Sequence, residues 1–181
     1  MEKNEKNYWK VSLVLVLCLL ARLVPFRVPN VEPILAATMP LSRSFGALLG
    51  STFAVLSVLF YDVLTGTLGL QTFFTVGAFG LLGWWSAIYF KKNRGERWGY
   101  VRFAIFGTLF FDAVTGLTVG PIFFGQSFLG SLMGQIPFTA LHLLGNIIFA
   151  MLLSPALYNF YIRKRKKSVE TQASFLNPKI I

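Results

Sequence analysis

Acidic residues are scarce in this chain: seven Asp and Glu stand against seventeen Lys and Arg among 181 residues, and charged residues of all kinds make up 13%. Such a balance cannot clothe a soluble globule when 55% of the residues are hydrophobic and the mean hydropathy is +0.62. Cysteine occurs once, at Cys18, which excludes an intrachain disulfide and most thiolate metal sites and leaves a lipid-facing or packing thiol. Histidine also occurs once, and one His with two distant acids is a poor metal signature. No Walker A pattern is present, so any ATP hydrolysis that powers this protein happens on another chain. No Ser-His-Asp spacing or other nucleophile set marks a hydrolase, so neither an enzyme nor a cofactor is expected. No small-residue cleavage pattern follows Lys3, Lys6 and Lys10, and the apolar run from Val11 reads as a retained first helix.

What the chain does have is a series of apolar runs long enough for bilayer spans. An all-α membrane protein is expected, a single transmembrane domain over 1–162 built as a six-helix bundle. Its crossings fall at 8–24, 31–41, 45–64, 72–90, 99–114 and 137–161. The second run is short and bracketed by Pro33 and Pro40, so it crosses only with help from its neighbours. The formal charge of +10 is not a nucleic-acid footprint, because the cations cluster between apolar runs instead of forming one basic face. With both termini inside, the basic N-terminus, Arg43, the Lys91, Lys92, Arg94 and Arg97 group and the run from Arg163 to Lys167 share the cytoplasmic side. Only Arg22 and Arg27 are left outside. Trp84 and Trp85 then anchor the cytoplasmic end of the fourth span. The stretch 117–135, apolar but broken by five glycines and prolines including Gly120, Pro121 and Gly125, is expected to be a re-entrant or lid-like segment on the outer side. Residues 163–181 are expected to form a disordered, basic cytoplasmic tail.

Two heptapeptides fifty residues apart, Phe60-Tyr-Asp-Val-Leu-Thr-Gly66 and Phe110-Phe-Asp-Ala-Val-Thr-Gly116, each place one carboxylate in apolar surroundings. Between Ser44 and Phe90 the only formal charge is Asp62, and between Phe103 and Ile162 it is Asp112. Burying such groups is costly, so they mark a polar site. Two crossings separate the copies, which puts both acids at the outer face of a parallel repeat, each in the last turn of its helix before a Thr-Gly stop. The helix dipole disfavours an anion there, and each carboxylate needs a cation, several donors or a proton. Arg22 and Arg27 are the available cations, as helix-locking partners or alongside a bound ligand. Gln135, Thr139, His142 and Asn146 form a polar stripe along the sixth helix, serving interhelical hydrogen bonds or a ligand-facing wall. Gly46 with Gly50, and Gly77, Gly80 and Gly83, open helix faces for close packing or for docking a partner.

The order of these features resembles the substrate-binding S components of energy-coupling factor (ECF) vitamin transporters. The likeness runs from about residue 8 to 162. It rests on Val28-Pro-Asn-Val-Glu-Pro33 leading into a short second helix, on a Gly-rich third helix, and on Gly134-Gln-Ile-Pro-Phe138 before Leu141-His-Leu-Leu-Gly-Asn146. It implies a multi-pass subunit of a prokaryotic plasma membrane, surrounded by lipid, that captures a vitamin or related micronutrient at its outer face. The implied partners are a transmembrane coupling subunit and two cytoplasmic ATPases. The implied pocket involves the loop around Asn30 and Glu32, the outer ends of the third and fifth helices, and the sixth helix. Together with the residues singled out above, the candidate substrate-binding set is Asn30, Glu32, Asp62, Asp112, Gln135, His142 and Asn146. One departure is that the Ala-x-x-x-Ala docking pattern often found in that family's first helix is replaced by Cys18-Leu-Leu-Ala21. The rival reading is a structural or assembly membrane protein whose buried polar residues only lock helices together.

Overall fold

The computed structural model describes residues 8–25, 31–93 and 97–176, except for the side chains of 163–176. Among these residues every secondary-structure element is a helix, as the runs of apolar sequence require. The helices are α1 (Tyr8–Leu23), α2 (Ile34–Phe45), α3 (Ala47–Thr65), α4 (Leu70–Lys92), α5 (Arg97–Phe124) and α6 (Phe128–Leu176). Four of them, α3 to α6, are long and apolar enough to cross a membrane; α1 and α2 are shorter. Leu48, Phe73 and Leu152 typify an outer surface that is openly apolar, as lipid contact allows and water does not.

Helix α2 is the centre of the molecule. Its 12 residues, about 18 Å of helix, are too few for a span, and every residue from Ile34 to Ser42 is buried. It packs against α3, α4 and α6, and more lightly against α1 and α5. Ala36, Ala37, Thr38 and Ser42 keep its girth small enough for this enclosure. Pro40 lies inside the helix and has no N–H to give to the carbonyl four residues back, that of Ala36. Ser154 of α6 donates its hydroxyl to that carbonyl at 2.8 Å, with neither residue exposed. A backbone acceptor stranded by proline is thus satisfied from a neighbouring helix.

Small residues set two further contacts. A Cβ on Gly83 would come within 2.7 Å of the Ser51 backbone, so α3 and α4 approach at a point only glycine permits, and Ser51 Oγ donates to the Gly80 carbonyl at 2.8 Å nearby. Gly77, by contrast, faces open space and takes no part in this packing. Cys18 packs among Val14, Ala37, Leu41, Phe53 and Tyr161, so it is the packing thiol of the two alternatives.

The cations separate by end. Arg43 donates to the Tyr100 hydroxyl at 3.0 Å and lies over the Tyr158 ring, next to the C-terminus of α4 and the N-terminus of α5. At the same end of α6, buried Lys10 donates to the Phe160 carbonyl at 2.6 Å. Arg22 stands at the far end of α1.

Three expectations need correction. No re-entrant segment occupies 117–135: α5 continues through Pro121 to Phe124, and α6 starts at Phe128. The two are joined by a tight turn in which Gly125 has a positive φ of 60° and the Ser127 hydroxyl accepts the Gly130 N–H at 3.1 Å, a helix N-cap. Helix α6 runs on through the basic cluster to Leu176, where a disordered tail is expected. The Thr-Gly stops also behave differently. Gly66 ends α3 in a left-handed cap with φ 69°, whereas Gly116 lies inside α5. The heptapeptide echo is therefore not repeated as structure.

Candidate functional site

At the end of α3 the Gly66 N–H bonds the Val63 carbonyl at 3.3 Å and the Thr67 N–H bonds that of Asp62 at 2.9 Å, the paired closure of a left-handed cap. This closure fixes the last helical turn and with it the Asp62 side chain. Its carboxylate accepts the Thr72 hydroxyl at 2.7 Å and, more loosely, the Thr67 hydroxyl at 3.5 Å. Thr72 is in the first turn of α4, where its oxygen also accepts the Gly69 N–H at 3.2 Å. Asp62 therefore meets the unfavourable dipole end of α3 and the favourable dipole end of α4 together. Among the described residues these two hydroxyls and the second dipole, and no cation, are what Asp62 meets.

A cavity of about 240 Å³ opens beside Asp62. Arg22, Glu32, Asp62, Thr67, Gln71, Thr75 and His142 provide its polar wall, and Val58, Phe79, Phe111 and Phe138 its apolar one. Arg22 Nε lies 3.1 Å from Glu32 Oε2, and the Arg22 guanidinium stacks 3.9 Å from the centre of the Tyr61 ring. The Arg22 pairing anticipated for the two aspartates is thus made with Glu32, the acid nearest to it across the start of α2.

Asp112 lies behind the wall. Its Oδ1 is 2.7 Å from His142 Nδ1, with Asp112 2% and His142 4% exposed. With Asp112 ionised, Nδ1–H donates to it and Nε2 is the ring nitrogen left to the cavity. Phe111 and Phe138 clamp the imidazole edge-to-face at 5.7 and 5.9 Å. The two aspartates are not level. Asp62 meets α4 at Thr72, whereas Phe111, next to Asp112, meets it at Phe79, seven positions or about 10 Å deeper. The expectation that both acids sit in the last turns of their helices holds for Asp62 alone.

The remaining candidates divide. Glu32 and His142 line the cavity with Asp62. Asn146 is deeper in the bundle, donating to Thr108 Oγ1 at 2.8 Å, a helix-to-helix bond. Gln135 lies over Gly116 with its amide 3.4 Å from Thr139 Oγ1, outside the cavity lining. Asn30 and Arg27 fall outside the described residues. Sequence reasoning missed Thr67, Thr72 and Gln71; the turn residues Gly66 and Gly69, which fold α3 back onto α4, were the signal that they face Asp62. Among the described residues no three His, Cys, Asp or Glu side chains gather as a metal site.

No protein-family model matches the chain, and no curated protein or solved structure shows significant similarity to it.

Proposed function

We propose that this chain is the substrate-binding membrane subunit of an ECF-type importer, capturing a vitamin-like micronutrient in the cavity beside Asp62. The observation that carries this reading is the cavity itself. Five helices or their ends converge on a polar, partly aromatic recess at the end of the bundle opposite Arg43 and Lys10. With the basic end in the cytoplasm of a prokaryotic cell, the recess opens outward and both termini lie inside. At about 240 Å³ it falls just below the ~300–1,000 Å³ of drug-sized pockets, a fit for a small metabolite. The belt of α3 to α6 between their ends carries few charges, so reorientation of the whole subunit in lipid is physically reasonable. A transmembrane coupling subunit and two cytoplasmic ATPases would supply the work, since this chain has no nucleotide-binding motif of its own.

Native mass spectrometry of the detergent-purified protein tests the reading, with a co-purified small molecule as the expected result. A folded protein that carries no such molecule and binds nothing in a vitamin panel would count against it.

A second reading, a structural membrane protein, is favoured by one set of contacts. The Asp112–His142 and Thr108–Asn146 pairs are buried between α5 and α6 and link the two helices without any ligand. Asp62→Asn separates the two. Loss of ligand affinity with thermal stability retained supports the transporter subunit; loss of stability with no ligand found supports the structural protein.

A further inference from the structure

The charges around the cavity do not cancel. Arg22 is matched by Glu32 at 3.1 Å, and His142 is backed by Asp112 at 2.7 Å. The second pair sums to zero if His142 is protonated and to one negative charge if it is not. Asp62 is then left over in either state. Its partners are the hydroxyls of Thr72 and Thr67, and among the described residues no Lys or Arg lies within ion-pair distance of it. Hydroxyl donors stabilise a carboxylate without neutralising it, so among the described residues the cavity lining carries at least one net negative charge. Across from Asp62 stand the rings of Phe79, Phe111 and Phe138, with the His142 imidazole held edge-to-face between the last two.

We infer that the cavity selects a small organic cation: a single planar ring bearing a protonated amine or equivalent nitrogen, with that nitrogen on Asp62 and the ring among Phe79, Phe111 and Phe138. This preference rests on the cavity being a substrate site, as proposed above. A cationic nitrogen gains a charge-assisted bond at Asp62, and an anion would meet uncompensated repulsion in a partly desolvated recess. Ring faces and edges favour a planar partner and add cation–π attraction for the same charge. The volume admits one ring and a short chain, so charge and not extended contact area has to provide the discrimination.

Three water-soluble probes of nearly equal shape test this with the full-length protein in nanodiscs, read by ligand-detected NMR. They are 3-(aminomethyl)pyridine, 3-pyridinemethanol and nicotinate, carrying a positive, a neutral and a negative group on one ring. The amine is expected to bind about tenfold or more tightly than the alcohol, and the carboxylate most weakly. That order should vanish in Asp62→Asn. It should vanish also in Gln71→Lys, which places a positive charge on the cavity wall without removing either threonine hydroxyl that bonds Asp62, so the test stands even if Asp62→Asn misfolds. Equal or tighter binding of the alcohol or the carboxylate to the native protein overturns the cation preference and leaves the substrate site in place. Retention of the amine preference in folded Gln71→Lys overturns it as well. Absence of binding by all three, together with no co-purified molecule, overturns the substrate-site reading and the preference with it.

Discussion

His142 Nδ1 and Asp112 Oδ1 lie 2.7 Å apart across α5 and α6, and both residues are almost fully buried. The pair engages one imidazole nitrogen and leaves the other free, so a carboxylate outside the cavity lining still shapes the site.

Removing one partner of such a pair strands the other. Asp112→Leu and His142→Leu are each expected to destabilise the protein by about 3–5 kcal/mol, whereas the double variant should cost clearly less than their sum. Denaturant unfolding of the four proteins in one detergent measures the coupling, and simple additivity would show that the contact has no energetic consequence.

Ser154 and Ser57 both donate from buried positions to main-chain carbonyls, at 2.8 Å in each case. Their replacement should not cost the same. Ser154→Ala removes the donor to the Ala36 carbonyl, which Pro40 leaves without its helical partner, and should cost about 1–3 kcal/mol. Ser57→Ala removes a second bond to the Phe53 carbonyl, which lies four residues back in the same helix and keeps the backbone N–H of position 57, so its effect should be small. Thermal midpoints of the two variants decide the matter.

The two Thr-Gly steps give a sharper contrast. Gly66→Ala forces a side chain into a left-handed conformation and should destabilise by about 1–2 kcal/mol, displacing Asp62 as it does so. Gly116→Ala sits in a helix, where alanine is favoured by about 0.5–1 kcal/mol, and has to move only the flexible amide of Gln135. It should therefore be near neutral. A common response at both glycines would contradict the different roles assigned to them.

The segregation of cations predicts an orientation that labelling can test. In a Cys18→Ala background, Gln71→Cys should react with an impermeant maleimide on intact cells, and Asn93→Cys only after permeabilisation. Labelling of both from one side would contradict a bundle whose α4 has its ends on opposite faces. Labelling of Asn93→Cys alone would invert the topology.

The helices were legible because a chain this poor in charge leaves an apolar segment little alternative to pairing its backbone internally, and the charged breaks mark the ends. Asp62 was legible by the same reasoning, as the sole charge between Ser44 and Phe90. Residues 117–135 misled because glycine and proline density was read as irregular chain. Gly125 followed by Ser127 is in fact a left-handed stop and an N-cap, the two signals of a helical hairpin. The repeated heptapeptide misled in a different way. Its Gly116 faces Gln135, a residue on another helix, and that contact leaves the chain no reason to stop.

Sequence alone determined that this protein is helical, apolar on its outside, and marked by two isolated acids, because those properties follow from composition and from spacing along one strand of chain. Only the tertiary structure decided which group answers each acid. Arg22 is captured by Glu32, Asp112 by His142, and Asp62 by two threonine hydroxyls. The physical reason is that a buried charge is stabilised by whatever lies within about 3 Å of it, and for Asp112 and Glu32 that partner comes from a different helix, whose rotation and depth no periodicity encodes.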